Sequence, residues 1–325
     1  MTRSSARKSF VRTPRPWLAW LATVAWLLLP AMACAADRAV WTWEKDSFAM
    51  LDDPAQARDA IAFLRAKRIR TIYLYADAYQ GRNLIRDQPE KYRRFIRQLH
   101  RRGLRAYALL GSAYLHTEEY MLPGRRQVAL AMFQQVLDYN RSARPSERFD
   151  GINLDIEPHI LDAWPAQKMQ LLAQFLDLGA AFMQLKRESG LSLQVGPAIP
   201  FWLDGIELDW QGRHQRVSEH VIDTYDYVAL MDYRDHADGG DGIVSHAMDE
   251  LQYAARCKRR VVIGVEVTPN EIQKVSFDHL VEADLERELA LAEKAFRKQP
   301  SFAGFAIHHF RGYRKWLGKG APQIP

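Results

Sequence analysis

The sequence predicts a closed (β/α)8 barrel, and three observations carry that expectation. Eight short apolar runs, rich in β-branched and aromatic residues, recur along the 325-residue chain. Amphipathic stretches of helical period fall between most of them, the layout of a barrel of parallel strands. No glycine-rich phosphate loop follows the first run: Trp43-Glu44-Lys45-Asp46 stands there instead. That disfavours the alternative, an open doubly wound sheet.

The first run, 39–43, leads to a helix with Asp53 as N-cap and Pro54 at its first position. The second, 71–75, precedes a helix over 89–102 that Gly103 stops. The third spans 104–110 and is followed by a helix over 125–140; the fourth spans 151–157, with a long helix over 165–189. The fifth is expected at 191–195, the sixth at 227–231, the seventh at 261–267 and the eighth at 302–310. The stretch 201–215 reads as a long structured loop. No repeat, low-complexity tract or Pro/Gly/Ser linker interrupts the chain, so one domain is expected over 37–325.

Residues 1–35 read as a secretory signal peptide. A basic start, Arg3 to Arg15, precedes an apolar run from Trp17 to Leu29, then Pro30 and the small residues up to Ala36. The run is shorter than the roughly 20 residues of a transmembrane helix, so no stable membrane insertion is expected after cleavage near Ala35 or Ala36. Export to the periplasm or the exterior follows, with lipidation of Cys34 the alternative. If Cys34 leaves, Cys257 is the remaining cysteine and no internal disulfide can form. Charge points the same way. The net charge is +6, but the leader holds five basic residues and no acidic one. Without it, 40 basic residues face 39 acidic ones, too even a balance for a nucleic-acid-binding surface.

The chemistry gathers on the fourth strand, Asp150-Gly151-Ile152-Asn153-Leu154-Asp155-Ile156-Glu157. Side chains alternate along a strand. Ile152, Leu154 and Ile156 therefore face the helices, and Gly151, Asn153, Asp155 and Glu157 face the barrel interior. A barrel built for stability alone would carry branched apolar residues there. Asp155 and Glu157 stand at the C-terminal end, where barrel enzymes work. Neighbouring carboxylates raise the pKa of one member, which would keep Glu157 protonated near neutrality and able to protonate a leaving oxygen.

This run resembles the Asp-Gly-x-Asp-x-Asp-x-Glu signature of family 18 glycoside hydrolases, the chitinase family, which are (β/α)8 barrels with that signature on strand four. The family's strand-six motif, Met-x-Tyr-Asp, is matched by Met231-Asp232-Tyr233-Arg234 as far as the tyrosine. The resemblance implies Glu157 as proton donor. It implies Asp155 as the residue that steers the substrate's N-acetyl group, which attacks the anomeric carbon in place of a protein nucleophile, and Tyr233 as its contact to the N-acetyl carbonyl. The chain departs from the pattern at Asn153, an amide that would still bond Asp155, and at Arg234, although Asp232 and Asp235 are adjacent. The last strand ends Ile307-His308-His309-Phe310, without the tryptophan that often floors the family's site.

A second carboxylate scheme pairs Glu157 with Glu266 at the end of strand seven, as acid/base and nucleophile of a retaining glycosidase of the other barrel clan. Otherwise Glu266 would pair with a rim arginine such as Arg234 or Arg311. Beyond the leader six tryptophans remain, at strand ends or in the stretches after them. Trp43, Tyr75 and Trp202 are the expected sugar-stacking surfaces, while Trp41 and Tyr73 read as barrel packing. Asn153, Asp232 and His308 complete the expected substrate contacts. His308 and His309 should point to opposite faces, so that one faces the mouth; His159 could share it. No zinc-type spacing is present, and neither metal nor cofactor is expected. The expected partner is a carbohydrate, either hydrolysed or, in a third reading, bound without turnover.

Overall fold

The computed structural model describes residues 1–2 and 36–318. The expected leader, with Cys34, falls almost wholly outside the described residues. From Ala36 onward, eight parallel strands close into a barrel in sequence order. They are β1 (Arg38–Thr42), β2 (Ile69–Tyr75), β3 (Arg105–Leu110), β4 (Gly151–Leu154), β5 (Gln194–Pro200), β6 (Tyr227–Met231), β7 (Arg260–Glu266) and β8 (Phe302–His308). β1 closes the ring against β8, with Val40 opposite Ile307. Among the described residues no helix is long and apolar enough to cross a membrane.

Most helices fall where capping signals put them. Asp53 accepts from the Ala55 amide and opens helix Pro54–Ala66. Helix Pro89–His100 ends just before Gly103, whose φ is +69°. A helix over Glu44–Asp52, where no element was expected, follows β1 after Trp43 alone and buries Glu44, Ser47, Phe48 and Leu51 on one face. β5 begins three residues later than expected and runs to Pro200. Gly196, Pro197 and Pro200 lower its β propensity, but the strand is buried from Val195 onward and tertiary packing decides its place. The stretch after it contains a short 3-10 helix, Phe201–Gly205, and an antiparallel hairpin, Glu207–Trp210 with Arg213–Arg216.

The barrel interior is aromatic, and glycines on facing strands make room for the rings. Trp41, Tyr73, Tyr107 and Tyr227 form a chain of ring contacts at 5.2, 5.9 and 5.7 Å. A Cβ on Gly151 would lie 2.5 Å from the Tyr107 ring, one on Gly196 2.7 Å from the Tyr227 ring, and one on Gly264 3.1 Å from Trp41. Asp150 sits below this layer, where its carboxylate accepts from the Ala106 amide (2.8 Å) and meets His100 Nε2 (3.0 Å), pinning β4 to β3 and to the outer helix. Trp164 and Trp316 lie in helices rather than strand-end loops; Trp316 donates to the Leu280 carbonyl and is a packing residue.

Gly196→Ala is expected to destabilise the fold by about 1–3 kcal/mol, the usual cost of forcing an extra carbon into a filled core, because backbone and ring of Tyr227 block the new methyl. Urea titration followed by tryptophan fluorescence measures this; a midpoint equal to that of the wild type would contradict the packing described.

Candidate active site

The mouth at the C-terminal strand ends holds a cleft of about 640 Å³, with Trp43, Glu44, Asp155, Glu157, His308 and His309 among its walls, within the range of small-ligand sites. Strand four delivers its polar row as the alternation requires. Ile152, Leu154 and Ile156 are buried on the helix side. The regular ladder ends at Leu154, and the Asp155 amide adds one more bond, to the Leu110 carbonyl at 2.7 Å. Gly111 permits this approach. It has φ +99°, and a side chain there would run into the Asp155 backbone.

Asp155 is 6% exposed. Burial, the Glu157 charge and the Glu44 charge raise its pKa well above the usual carboxylate range. Glu157 is raised too, by burial first and by Glu118, with His308 opposing. The two behave as a pair that resists holding two negative charges. Tyr233 completes the group. Burial, then Glu266, Glu157 and Asp155, push its phenol up, so its hydroxyl keeps its proton near neutrality, and its ring lies 5.8 Å from that of His308. Glu157, Asp155 and Tyr233 thus converge on one mouth.

Glu266 is close by but committed. One oxygen accepts from the Val267 amide (2.8 Å), the Thr268 amide (2.7 Å) and the Thr268 hydroxyl (2.8 Å). The other meets His308 Nδ1 at 2.6 Å. Burial raises its pKa, but His308 and Thr268 outweigh burial and hold it below the usual range. Neither expected arginine pairs with it. Arg311 holds Asp46 at 2.7 Å. Arg234 holds Asp241 at 2.8 Å and donates to the Tyr233 carbonyl, so its charge is spent beside the cleft while it fixes the tyrosine's backbone.

The expected substrate contacts divide. His308 lies at the cleft wall, where Trp43 Nε1 donates to its Nε2 at 3.2 Å. Trp202 packs with Trp164 (6.1 Å between centroids) and with His159 (5.2 Å), whose Nε2 is 3.3 Å from Glu157. This makes an aromatic flank beside the acid, and burial keeps His159 below its ordinary pKa. Three assignments are corrected. Asn153 lies one layer too deep and does not bond Asp155: it accepts from Trp41 Nε1 (2.9 Å) and donates to the Tyr227 hydroxyl (3.2 Å). Tyr75 is fully buried against Phe48, and its hydroxyl donates to the Ala78 carbonyl. Asp232 is fully buried on the far side of β6, 3.2 Å from His246 Nδ1, its pKa pushed up to about 6 by burial. The two terminal histidines also differ from expectation. β8 ends at His308, so alternation does not extend to His309; the peptide between them is cis and both rings border the cleft.

Sequence reasoning missed Glu44, Asp77 and Glu118. The available signal was a carboxylate shortly after each of the first three strands, which reads as ordinary loop polarity until the barrel brings the strand ends together.

No family model matches this chain, and no curated protein sequence matches it. Solved structures do. A GH18 chitinase from Cycas revoluta, solved in complex with (GlcNAc)4, aligns over 87% of this chain and 98% of its own at 10% identity, with a TM-score of 0.53. The GH18 chitinase ChiB from the chitin utilization locus of Flavobacterium johnsoniae aligns over 88% and 93% at 9% identity, with a TM-score of 0.50. The fold these chitinases share with the chain is the closed (β/α)8 barrel.

Asp155→Asn tests the electrostatics without any substrate. A folded-state pKa raised above the unfolded value costs the native state stability as pH rises past about 3.9, where the unfolded aspartate ionises. The variant should be more stable than the wild type at pH 7, and the gap should close below pH 4, where both states hold the proton. Calorimetric melting at the two pH values measures it; a variant less stable at pH 7 would contradict the raised pKa.

Proposed function

We propose that the protein is an exported glycoside hydrolase, a distant relative of the family 18 enzymes, that cleaves glycans containing N-acetylated sugars. One observation carries the reading: buried Asp155 and half-buried Glu157 line one cleft at the C-terminal strand ends, burial raises the pKa of both, and the Tyr233 phenol is close enough to feel both charges. The fold shared with GH18 chitinases and the strand-four signature support it.

In this mechanism Glu157, whose pKa burial raises, gives its proton to the glycosidic oxygen as the bond to the anomeric carbon breaks. The carbonyl oxygen of the substrate's own N-acetyl group forms the new bond to that carbon. The Tyr233 hydroxyl donates to that carbonyl and sets its line of attack. Asp155 accepts from the N-acetyl N–H with a carboxyl oxygen and so stabilises the positive charge that develops there. Glu157, now ionised, takes a proton from the water that opens the cyclic intermediate, and so returns to its starting state. Trp43 and the Trp164–Trp202 flank offer ring faces for the sugars. The leader reading supplies the export.

The scheme with Glu266 as nucleophile is disfavoured by four hydrogen-bond contacts on its two oxygens. A nucleophile needs a free lone pair facing the substrate.

Glu157→Gln should lower kcat by about 10²–10⁴ while leaving glycan binding nearly intact. Glu266→Gln should lower it far less, and added azide should not restore activity in that variant. Equal losses in the two variants, with azide rescue of Glu266→Gln, would transfer the nucleophile's role to Glu266. Binding with no turnover by the wild type on any glycan of an N-acetylated and non-acetylated panel would leave a carbohydrate-binding barrel.

A further inference from the structure

The rim of the cleft is divided electrostatically. Glu44 follows β1, Asp77 follows β2, Glu118 lies in the turn after β3, and Asp155 and Glu157 follow β4. Among the described residues, no lysine or arginine forms an ion pair with any of the five. Their only charged-group contacts are His116 with Glu118 (3.1 Å) and His159 with Glu157 (3.3 Å). On the rest of the rim Arg311 holds Asp46, Arg234 and Lys274 hold Asp241, and both oxygens of Glu266 are met by hydrogen-bond partners. Lys45 and Arg311 also border the cleft, but Arg311 is held by Asp46 and Lys45 is exposed.

Within the acidic sector Glu44 is the telling residue. It is 6% exposed and lines the cleft beside Asp155, and its Oε1 is buried with no hydrogen-bond partner. Glu118 is 7% exposed, and its Oε2 is likewise buried and unpartnered. A buried carboxylate oxygen with no donor costs stability, and such exceptions mark sites that something else completes. The acids are spread over four strand ends, and no three metal-ligating side chains among the described residues are grouped to hold an ion. A cation delivered by the substrate fits better. An ammonium group has three N–H donors and no acceptor, the complement of carboxylates that lack donors.

We propose that this acidic sector is a subsite for a protonated primary amine, so that the glycan entering the cleft carries de-N-acetylated hexosamine units next to the N-acetylated unit that is cleaved. The amine subsite stands on Glu44, which lines the cleft beside Asp155, with the charge of Glu118 near Glu157 adding to the field; its role in cleavage rests on the glycosidase reading above. Full N-acetylation would replace the ammonium by a neutral amide, which carries no charge and offers one donor in place of three.

Calorimetric titration of the full-chain Glu157→Gln protein tests the subsite apart from turnover. The probes are a β-1,4-linked N-acetylglucosamine tetramer and its partially de-N-acetylated counterpart, at mildly acidic pH where the free amines are charged. The amine-bearing tetramer should bind about tenfold more tightly, the scale of one charge-assisted bond. That preference should shrink with added salt and be lost in the Glu44→Gln background, or in Glu118→Gln if the former does not fold. Equal or tighter binding of the fully acetylated tetramer overturns the proposal, as does failure of both to bind. Hydrolysis by the wild-type chain separates the two readings. Cleavage of the acetylated tetramer with no amine preference removes the subsite and leaves the glycosidase. An amine preference with no cleavage of either tetramer does the reverse.

Discussion

The amide of Asn153 is the constraint around which the barrel is arranged. It lies at the centre of the interior, fully buried, and ties three strands: β1 through the Trp41 indole, β6 through the Tyr227 hydroxyl and β5 through the Gly196 carbonyl. Tyr227 in turn donates to the Ile152 carbonyl of β4. A buried amide is tolerated only when its donors and acceptor are matched, and here each bond is made to a residue fixed by its own packing. The same network dictates the glycines. Trp41 and Tyr227 fill the axis, so β5 and β7 must carry Gly196 and Gly264 where the rings pass. It also fixes the register of strand four, and a slip of one residue would turn Asp155 and Glu157 into the helix layer.

A second chain of contacts repeats the plan one layer up, at the mouth. Thr268 and Val267 hold Glu266, Glu266 holds His308, and His308 receives the Trp43 indole, so that β7, β8 and β1 are joined where the ring closes. In this half of the mouth every oxygen of Glu266 is met by a partner. The opposite half, over β1 to β4, carries carboxylates whose partners are incomplete. Satisfied polar networks rigidify, whereas unsatisfied buried charge costs stability and persists at sites of function. The contrast separates a scaffold side from a working side within one rim.

The fold was legible because barrel strands buried on both faces read as short apolar runs, and seven of the eight lie within a few residues of where those runs stand. β5 was misplaced because Gly196 serves the ring of Tyr227 on the next barrel strand, and nothing local in the sequence records that need. Asp155 and Glu157 were legible because polar residues at interior positions of an apolar strand have no packing explanation. Asn153 follows the same parity, yet it is structural. Alternation gives the face of a strand and not the depth along it, and depth decides whether an interior polar group meets solvent or another side chain. Tyr75 and Asp232 fail for related reasons: a neighbouring helix covers one, and the other turns to the opposite side of its strand. Glu44 and Glu118 could not be weighed from sequence, since what distinguishes them is one buried oxygen each that meets no partner in space.

Depth also gives two carboxylates of one strand the different environments that their proposed roles require. Asp155 is the more enclosed: its backbone continues the β3–β4 pairing and it meets the charges of both Glu157 and Glu44. Glu157 stands one step further out, on extended backbone beyond the ladder, with the aromatic flank of His159 and Trp202 beside it and His308 partly offsetting its raised pKa. A group that must give a proton to substrate and recover it from water needs contact with both and a pKa that is raised without being locked. A group that must stay in place and balance charge can be buried deeper. The alternation of the strand sets both side chains on one face, and the end of the ladder between them sets the difference in environment that lets a single strand supply an acid and its electrostatic support.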